Sequence, residues 1–416
     1  MTARLAVVFG PGAVTLGDLL AGLGFGPELI FILPGRAASY ASVLQGEGTV
    51  VALDEAASIG QVDGIVAFGE RELPVAARLA ASAGLPFHTP ETVERLTDKS
   101  LQRRALRGHG IETPAFHLLR DAEEWPAELA LPAVLKPVKG EGSRNTHLVR
   151  TAENGRTLAR RLLDPGGPAA EEALVVEECL LGTPCEPYGD YVSVESACVG
   201  DDVRTIGVTG KLPLLPPFRE NGQFFPDTLD EALRAEVIEL TGRALKALGV
   251  RHGITHTEIK LTPQGPRIIE VNGRIGGFIN ELYQRAAGLD LIEAAGRLAL
   301  GQEADVSVRP RGGVYFQHYS RPLPQATRLA AVEGARELTR TPGIIASRRL
   351  VRPGAALPPD GTAVYLDLTV GHAPTHEEML DVLERGLSRI RFTFDTPAGA
   401  VTRTGHELRA VEREAT

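Results

Sequence analysis

The sequence has few cysteines and no long apolar run. Three cysteines occur among 416 residues, and their spacing contains no C-x-x-C pair. A disulfide framework or a structural zinc site is therefore not expected, and a reducing cytoplasm is the expected location. No apolar run reaches the ~18 residues that a transmembrane helix needs, so no membrane partner is expected. The N-terminal apolar run is too short for a signal peptide and predicts a first strand.

The charge balance argues against another class of partner. The formal net charge is −9 at pH 7, and lysines and arginines form no local cluster, so general binding to nucleic acid is not expected. A locally basic site for a phosphate-bearing ligand remains compatible with this balance. The chain is long enough for roughly two or three domains with a substantial core.

One stretch, residues 253–277, combines strand periodicity with acidic and amide side chains. It reads GITHTEIKLTPQGPRIIEVNGRIGG, and its alternation around proline and glycine predicts a β-hairpin. Pairing around Gln264 places Glu258 opposite Glu270, with Asn272 pointing to the same face. Two carboxylates and an amide oxygen suit Mg²⁺ that is held together with substrate phosphates. The hairpin therefore predicts a metal site.

The residues that follow the hairpin support this interpretation. Arg274 lies on the same predicted face as Asn272, and the backbone then opens into Gly276-Gly277. The alternative is an ordinary hairpin whose two glutamates face solvent. We favour the metal site because the acidic, amide, arginine and glycine residues occur in one register.

The chain divides near residue 96. Before it, short apolar strands alternate with helical patterns, which predicts an open parallel sheet. Helix-start signals at Thr89-Pro90 and at Thr97-Asp98-Lys99 flank the boundary. The expected domains are an α/β domain at 1–96, an α+β domain at 97–304 with a lid at about 115–180, and an α/β domain at 305–416.

Two further stretches carry isolated signals. An apolar strand at 132–138 contains Lys136, and a charge inside an apolar run needs a partner. The next residues, KGEGSR at 139–144, form a loop that can close over phosphates through backbone N–H groups, or an ordinary surface hairpin. The stretch 211–225 is too rich in proline for a regular element, and its Arg219 is a candidate for pairing with a substrate carboxylate.

The apolar strand at 173–178 ends in two acidic residues and leads into a polar stretch. Backbone groups at its end, next to Leu180 and Leu181, are placed to hold a planar base by its edge. Glu178 or Glu186 would then accept a hydrogen bond from a ribose hydroxyl.

Taken in order, these features resemble the ATP-grasp superfamily over about residues 1–300. The segments HTEIKLTPQGPRIIEVNGRIGG and YGDYVSVES are most similar to the carboxylate–amine ligase branch, which contains L-amino-acid (dipeptide) ligases. The resemblance implies an ATP-grasp fold, α+β in its central part, within an α/β chain. A parallel-sheet domain would precede this part, and a C-terminal α/β extension would follow it.

The resemblance also implies roles for individual residues. The predicted ATP-binding residues are Lys99, Lys136, Gly142, Ser143, Glu177, Glu178, Cys179, Leu180 and Glu186. The predicted ligands of Mg²⁺, two ions that Mn²⁺ could replace, are Glu258, Glu270 and Asn272. Arg274 and Lys136 are the predicted catalytic residues, of which Arg274 would stabilise the transferring phosphoryl group and a later tetrahedral intermediate. The predicted substrate-binding residues are Arg219, Glu195, His256, Gly276 and Gly277.

One departure from the family pattern concerns the ribose. Many members follow the strand end with a short G-x-E-x-S turn, whereas here TPCEPYGDYV separates Gly182 from Ser193. The acid that would bind the ribose therefore stays open among Glu178, Glu186 and Asp190.

The implied activity is an ATP-dependent ligase that activates a carboxylate as an acyl phosphate and couples it to an amine. An ATP-grasp carboxylase that activates bicarbonate is one alternative, and a nucleotide-binding regulator without catalysis is another. The intact set of lysines, carboxylates and arginine argues against the regulator. The expected partners are a small carboxylate and a small amine, and a homodimer is a further expectation.

Overall fold

A computed structural model describes residues 2–167, 169–358 and 364–410. The chain divides into two compact units. The first unit contains the residues up to Thr113, Ser193–Val208 and Leu229–Pro310, and the second contains Pro114–Val192, Thr209–Thr228 and the residues from Arg311 onward. The three expected domains stay a prediction. The last of them, 305–416, includes positions 359–363 and 411–416, which lie outside the described residues.

The first unit begins with the parallel sheet that the sequence predicts. Its strands lie in the order β3-β2-β1-β4, and the central strands are almost completely buried because helices follow each strand. The strands are β1 (Arg4–Val8), β2 (Glu28–Leu33), β3 (Thr49–Ala52) and β4 (Gly64–Ala67). The helices are α1 (Leu16–Leu23), α2 (Ala41–Leu44) and α3 (Leu73–Ala83), with 3-10 turns at Gly35–Tyr40 and Leu53–Ser58.

Two capped helices follow. The Thr89 side chain accepts a hydrogen bond from the backbone N–H of Thr92 and begins α4 (Pro90–Thr97). The Asp98 side chain accepts from the N–H of Leu101 at 2.9 Å and begins α5 (Lys99–Gly108). Both caps satisfy amide groups that have no partner inside the helix. The predicted helix starts are confirmed, and Lys99 lies in the first turn of α5.

The second unit begins with an antiparallel sheet in the order β5-β8-β6-β7. Its strands are β5 (Phe116–Leu119), β6 (Ala133–Pro137), β7 (His147–Val149) and β8 (Leu174–Glu178), with a 3-10 turn at Ala122–Glu124 and the helix α6 (Ala152–Leu163). One face of the sheet carries the apolar side chains that pack on α6. This sheet places Lys136 in β6 and Glu177 in the adjacent β8.

The chain then forms β9 (Tyr191–Val199), β10 (Asp202–Lys211) and β11 (Gly222–Phe225). The expectation of an irregular stretch over 211–225 was wrong at both ends, because Lys211 ends β10 and pairs with Gln223 in β11. Only the proline-containing part between these strands lacks a regular element, apart from an isolated bridge between Leu215 and Arg219.

The first unit is completed by α7 (Glu231–Leu248), β12 (His252–Thr262), β13 (Gly265–Asn272), α8 (Ile279–Ala287) and α9 (Leu291–Ala299). Strands β13, β12 and β9 lie side by side in that order, and β13 is outermost. The stretch after the hairpin forms two helices rather than one continuous helix. Gly288 ends the first of them with φ +73°, a left-handed conformation that a glycine adopts without strain.

The second unit ends with further antiparallel strands. Within it, β11, β14, β17 and β16 lie side by side, while β15, β18 and β19 form a separate sheet. The remaining elements are β14 (Val314–His318), β15 (Arg328–Glu333), α10 (Ala335–Thr339), β16 (Ile344–Arg349), β17 (Asp367–Ala373), α11 (His376–Leu387), β18 (Arg391–Thr396), β19 (Gly399–Thr404) and α12 (Gly405–Ala410). Across the described ranges, every helix is too short or too polar to cross a bilayer.

The start of α7 offers two possible capping residues, Thr228 and Asp230. Thr228 and Glu231 have the spacing of a capping box, but the residue that caps the helix is Asp230, whose side chain accepts from the N–H of Leu233 at 2.9 Å. We expect Asp230→Ala to lower the free energy of unfolding by about 1 kcal/mol because this amide loses its partner. Thr228→Ala is the matched control and should change it little. Equal losses in urea denaturation would contradict this assignment.

Candidate functional site

The predicted site residues fall into two sets, one in each unit. The set in the first unit consists of Lys99, Glu195, His256, Glu258, Glu270, Asn272, Arg274, Gly276 and Gly277. The set in the second unit consists of Lys136, Gly142, Ser143, Glu177, Glu178, Cys179, Leu180, Glu186 and Arg219. The two sets are described separately.

The hairpin of β12 and β13 pairs Glu258 directly with Glu270. The predicted pairing is therefore correct, although the predicted turn was not. The turn is the two residues between Thr262 and Gly265, and a register shift between Glu258 and Ile259 restores the expected pair further along. Ile259 pairs with Ile268, so Ile269 is the extra residue of a β-bulge in β13.

The bulge determines which side chains share a face. Ile268 and Val271 are completely buried, whereas Glu270 between them keeps partial exposure. Without the extra residue, Glu270 would point to the same face as Ile268, because side chains two positions apart share a face. With it, Glu270 and Asn272 lie on the face of their partners Glu258 and His256.

Lys99 provides the positive charge that two opposed carboxylates require. Its ammonium lies 2.9 Å from a carboxylate oxygen of Glu270. Burial by itself would lower the pKa of Lys99, but the carboxylates of Glu270 and Glu70 outweigh burial and raise the pKa above its ordinary value. Lys99 therefore stays charged inside the first unit at neutral pH.

Glu70 is a residue that sequence reasoning missed. It is buried, and one of its carboxylate oxygens lies 3.7 Å from the Arg274 guanidinium, which also donates to the carbonyl of Ile275 at 3.0 Å. Glu70 follows β4, at the carboxyl end of a parallel strand, which is where open α/β sheets place their ligands. That position was the available signal, but no pattern in the sequence connected it with Arg274.

A second buried carboxylate holds His256. Both oxygens of Glu195 lie within 3.0 Å of the His256 Nδ1, and Ser193 donates to the same carboxylate at 2.9 Å. The other ring nitrogen lies 3.5 Å from Glu258. A Cβ on Gly276 would lie 2.4 Å from the His256 ring, so this position admits no side chain, whereas Gly277 has open space around it. The imidazole is thus fixed on both edges and on one face.

In the second unit, Lys136 finds the partner that its buried position requires. Its ammonium forms an ion pair with Glu177 of the neighbouring strand β8, and both side chains are less than one tenth exposed. The Glu177 carboxylate compensates the buried lysine, and the role of Glu177 in ATP binding stays a prediction.

Backbone N–H groups at the end of β8 donate to carbonyl groups of the same unit. The N–H of Glu178 donates to the carbonyl of Ala115 at 2.8 Å, and the N–H of Cys179 donates to the carbonyl of Pro132 at 3.3 Å. The Glu178 side chain is exposed and accepts from the N–H of Ala115, while Leu180 is half-buried. No inter-strand partner continues the ladder beyond Glu178 among the described pairings.

The three acids considered for the ribose occupy different environments. Glu178 and Glu186 are exposed, and Asp190 is half-buried. A Cβ on Gly182 would lie 1.8 Å from an Asp190 oxygen, so this carboxylate packs against the Gly182 backbone.

The glycine loop between β6 and β7 is tied to the proline-containing stretch. Ser143 and Asn145 adopt left-handed φ values of 57° and 51°, conformations that are uncommon for residues with a side chain. The Ser143 hydroxyl donates to the carbonyl of Phe218 at 2.8 Å, and Arg144 forms an ion pair with Glu171. Side-chain contacts therefore hold this loop in an otherwise unfavourable conformation.

Arg219 is more buried than a simple substrate contact would be. It is 2% exposed and donates to the backbone carbonyls of Pro216 and Pro322. Burial, and to a smaller degree Arg321, lowers the pKa of Arg219 to about 10. The guanidinium remains charged at neutral pH, so it is a cation held beside Phe218 inside the second unit.

The hairpin residues fit a divalent cation. Like charges directly opposite each other in a sheet are destabilising, so the pair of Glu258 and Glu270 favours a cation beside it. Carboxylate and amide oxygens are the donors that Mg²⁺ prefers. Within 2–167, 169–358 and 364–410, no three His, Cys, Asp or Glu side chains converge on a metal position. The candidate site thus depends on Asn272 as its third protein ligand.

The chain is similar to known proteins in sequence and in structure. Residues 96–278 match the family model of the ATP-grasp domain. The L-amino acid ligase of Bacillus licheniformis has a solved structure that superimposes with a TM-score of 0.77 and 20% sequence identity, over 94% of this chain and 98% of that one. The chain therefore contains an ATP-grasp domain and has the ATP-grasp fold, as the resemblance implied.

Two relatives are similar to this chain in sequence over part of their length. The chain is 30% identical to human carnosine synthase 1 over 276 residues, which are 60% of this chain and 32% of that protein. It is 26% identical to the alanine–anticapsin ligase of Bacillus subtilis strain 168 over 278 residues, which are 62% of this chain and 59% of that protein. The chain thus spans about a third of the first relative and about three fifths of the second. The resemblance to carboxylate–amine ligases is confirmed at the level of sequence.

A buried histidine supports the backbone between Asn272 and Arg274. The Nε2 of His88 lies 3.0 Å from the carbonyl of Gly273, so this nitrogen carries the proton and donates. Burial is the main reason why the pKa of His88 is lowered to about 4. The hydrogen bond to Gly273 opposes this shift, and repulsion by His252 lowers the pKa further. A Cβ on Gly273 would lie 2.7 Å from Leu96 and 3.0 Å from the His88 ring. The site backbone is therefore held by a neutral imidazole.

This lowered pKa predicts a pH dependence. The stability contributed by neutral His88 is fully present above its unfolded value of 6.5 and is lost as the pH falls toward about 4. Between pH 7 and pH 5 this group should cost about 2 kcal/mol of unfolding free energy. We expect His88→Gln to reduce that dependence, measured by urea denaturation at both pH values, whereas His109→Gln on the surface should not. An unchanged dependence in His88→Gln would contradict the assignment.

Proposed function

We propose that the protein is an ATP-dependent carboxylate–amine ligase that joins an amino-acid-like carboxylate to an amine and releases ADP and phosphate. The observation that carries the proposal is the hairpin, where Glu258, Glu270 and Asn272 share a face and the Lys99 ammonium contacts Glu270. The names of the relatives support this substrate class, because one is an alanine–anticapsin ligase and another is an L-arginine-specific L-amino acid ligase.

The reaction needs an activated carboxylate, since a carboxylate is a poor acylating agent at neutral pH. In the proposed first step, a carboxylate oxygen attacks the γ-phosphorus of ATP, the bond to ADP breaks, and an acyl phosphate forms. In the second step, the amine attacks the acyl carbon, loses a proton, and phosphate leaves. When bound, Mg²⁺ supplies charge neutralisation for the phosphoryl oxygens.

The roles of the chain's own residues follow from their charges. Lys99 and Lys136 are buried ammonium groups that pair with carboxylates. In the proposal, each exchanges part of this pairing for a phosphate oxygen. The Arg274 guanidinium, which Glu70 and the Ile275 carbonyl orient, would stabilise the oxyanion of the tetrahedral intermediate. Glu258, Glu270 and Asn272 would hold the metal.

Water must be excluded from the acyl phosphate, or the intermediate is hydrolysed. The Ser143 hydroxyl joins the glycine loop to the carbonyl of Phe218, next to Arg219. In the proposal, this joined pair of loops excludes water, and Arg219 contributes positive charge toward the substrate carboxylate.

The direct test is phosphate release from ATP and Mg²⁺ over a panel of amino acids, supplied singly and in pairs. We expect release that requires one particular carboxylate together with one particular amine, with the amide product identified by mass spectrometry. A separate arm with bicarbonate tests carboxylation. Release that depends on bicarbonate alone would overturn the ligase assignment.

Glu270→Gln tests the metal assignment. The substitution keeps the shape of the side chain but removes the charge that would bind the metal, so we expect turnover to fall by at least about 100-fold. Glu303→Gln, an exposed carboxylate of the same unit, is the matched control and should leave turnover unchanged. Retained turnover in Glu270→Gln, with a melting temperature near that of the wild type, would contradict the assignment.

Arg219→Lys tests the proposed contact with the carboxylate. The lysine keeps the charge but loses the planar fork of donors, so we expect the KM for the acid to rise about tenfold while the KM for ATP changes little. The control is Arg328→Lys, which lies on the exposed side of the same unit beside Asp395. Equal increases in the two KM values would show that the substitution acts on the fold rather than on the substrate.

A further inference from the structure

Three side chains of α5 contact three consecutive residues of β13. Lys99 contacts the Glu270 carboxylate at 2.9 Å. Gln102 forms two hydrogen bonds with the Val271 backbone, donating to its carbonyl and accepting from its N–H, both at 2.9 Å. Arg103 donates to the carbonyl of Ile269 at 2.6 Å. These positions along α5 share one face because they are three and four residues apart.

The contacted segment is the bulge itself. Ile269 is the extra residue of β13, and its carbonyl is the atom that Arg103 binds. Val271 directly follows Glu270, and Gln102 satisfies both its donor and its acceptor. The helix therefore fixes the backbone on each side of the glutamate that is proposed to hold the metal.

The side chains of Gln102 and Arg103 are buried where they make these contacts. Gln102 and Arg103 are both 0% exposed, and Arg103 is the largest fully buried side chain among the described residues. Since β13 is outermost in its sheet, its outward N–H and C=O groups have no neighbouring strand, and a buried backbone group without a partner is costly. The amide of Gln102 takes the place of that strand.

We infer that Gln102 and Arg103 are positioning residues that hold the bulge in β13, and thereby present Glu270 and Asn272 to a divalent cation. This inference rests on the proposed function. If the bulge relaxed, the alternation of β13 would shift by one residue and Glu270 would turn toward the face of Ile268. Gln102 and Arg103, which are not proposed to touch the metal, would thus determine the geometry of its ligands. Partners of metal ligands commonly contribute about 10- to 100-fold to metal affinity.

The test separates metal binding from activity. ADP binding is measured by calorimetry over a Mg²⁺ titration for the wild type, Gln102→Met and Gln102→Glu. The methionine has a similar length and removes both hydrogen bonds to Val271, together with the donation of the amide to the Leu96 carbonyl at 3.3 Å. The glutamate keeps the acceptor for the Val271 N–H but loses the donor, and it remains informative if the methionine variant does not fold. We expect the Mg²⁺ concentration at half-saturation to rise about tenfold in the methionine variant.

Thr262→Val is the matched control in the same hairpin. The Thr262 hydroxyl donates to the carbonyl of Gly265 at the turn, so its loss should lower the melting temperature without changing the Mg²⁺ titration. Hydrogen exchange supplies a second readout, since the Val271 amide should exchange faster in the Gln102 variants than in Thr262→Val.

The outcomes distinguish the positioning role from the proposed function. An unchanged Mg²⁺ titration in the Gln102 variants, or an equal change in Thr262→Val, would overturn the positioning role while leaving the proposed function intact. A wild type whose ADP binding does not respond to Mg²⁺ would overturn the metal assignment, and the positioning role with it. A selective loss in the Gln102 variants, together with faster exchange at Val271, would establish it.

Discussion

The opposition of two carboxylates across β12 and β13 is the constraint on which the candidate site of the first unit depends. Glu258 and Glu270 are directly paired, an arrangement that is unfavourable unless positive charge is near. The Lys99 ammonium at 2.9 Å supplies part of that charge. In the proposed function, a bound divalent cation would relieve the repulsion that weakens an ordinary hairpin.

Each unit contains a buried lysine that pairs with a glutamate of a neighbouring element, Lys99 with Glu270 and Lys136 with Glu177. A lysine is rarely buried without such a partner, because the charged form loses its hydration. In the proposed function, phosphate oxygens compete with these glutamates for the ammonium groups. The internal pairs hold both lysine side chains in place, so the proposed nucleotide binding would need little reorganisation.

Sequence reasoning reached the pairing of Glu258 with Glu270, but partly through compensating errors. Alternation and turn residues are local properties, and they predicted the hairpin and the pairing of its two glutamates. The turn is centred between Pro263 and Gln264 rather than on Gln264, and the bulge at Ile269 corrects the register. A bulge stabilised by α5 depends on contacts between residues more than 160 positions apart, such as Gln102 with Val271, and a single sequence carries no signal for them.

The same limit explains the other differences. Lys99 was placed correctly on a helix because its cap is local, whereas Glu70 reaches Arg274 only through the tertiary fold. Arg219 was singled out by its loop, but its deep burial follows from backbone carbonyls that no local pattern reveals. Charge pairs within one element are predictable. Charge pairs between elements require the fold.

The amide of Gln102 also has a consequence for association between copies of this chain. An outermost strand normally offers its backbone as a template for a strand from another molecule, which is a common start of aggregation. On β13, the Val271 N–H and C=O are already bonded to Gln102, and the Ile269 carbonyl is bonded to Arg103. A strand from a second copy could pair with Ile269 and Val271 only by first displacing the side chains of α5 that hold them.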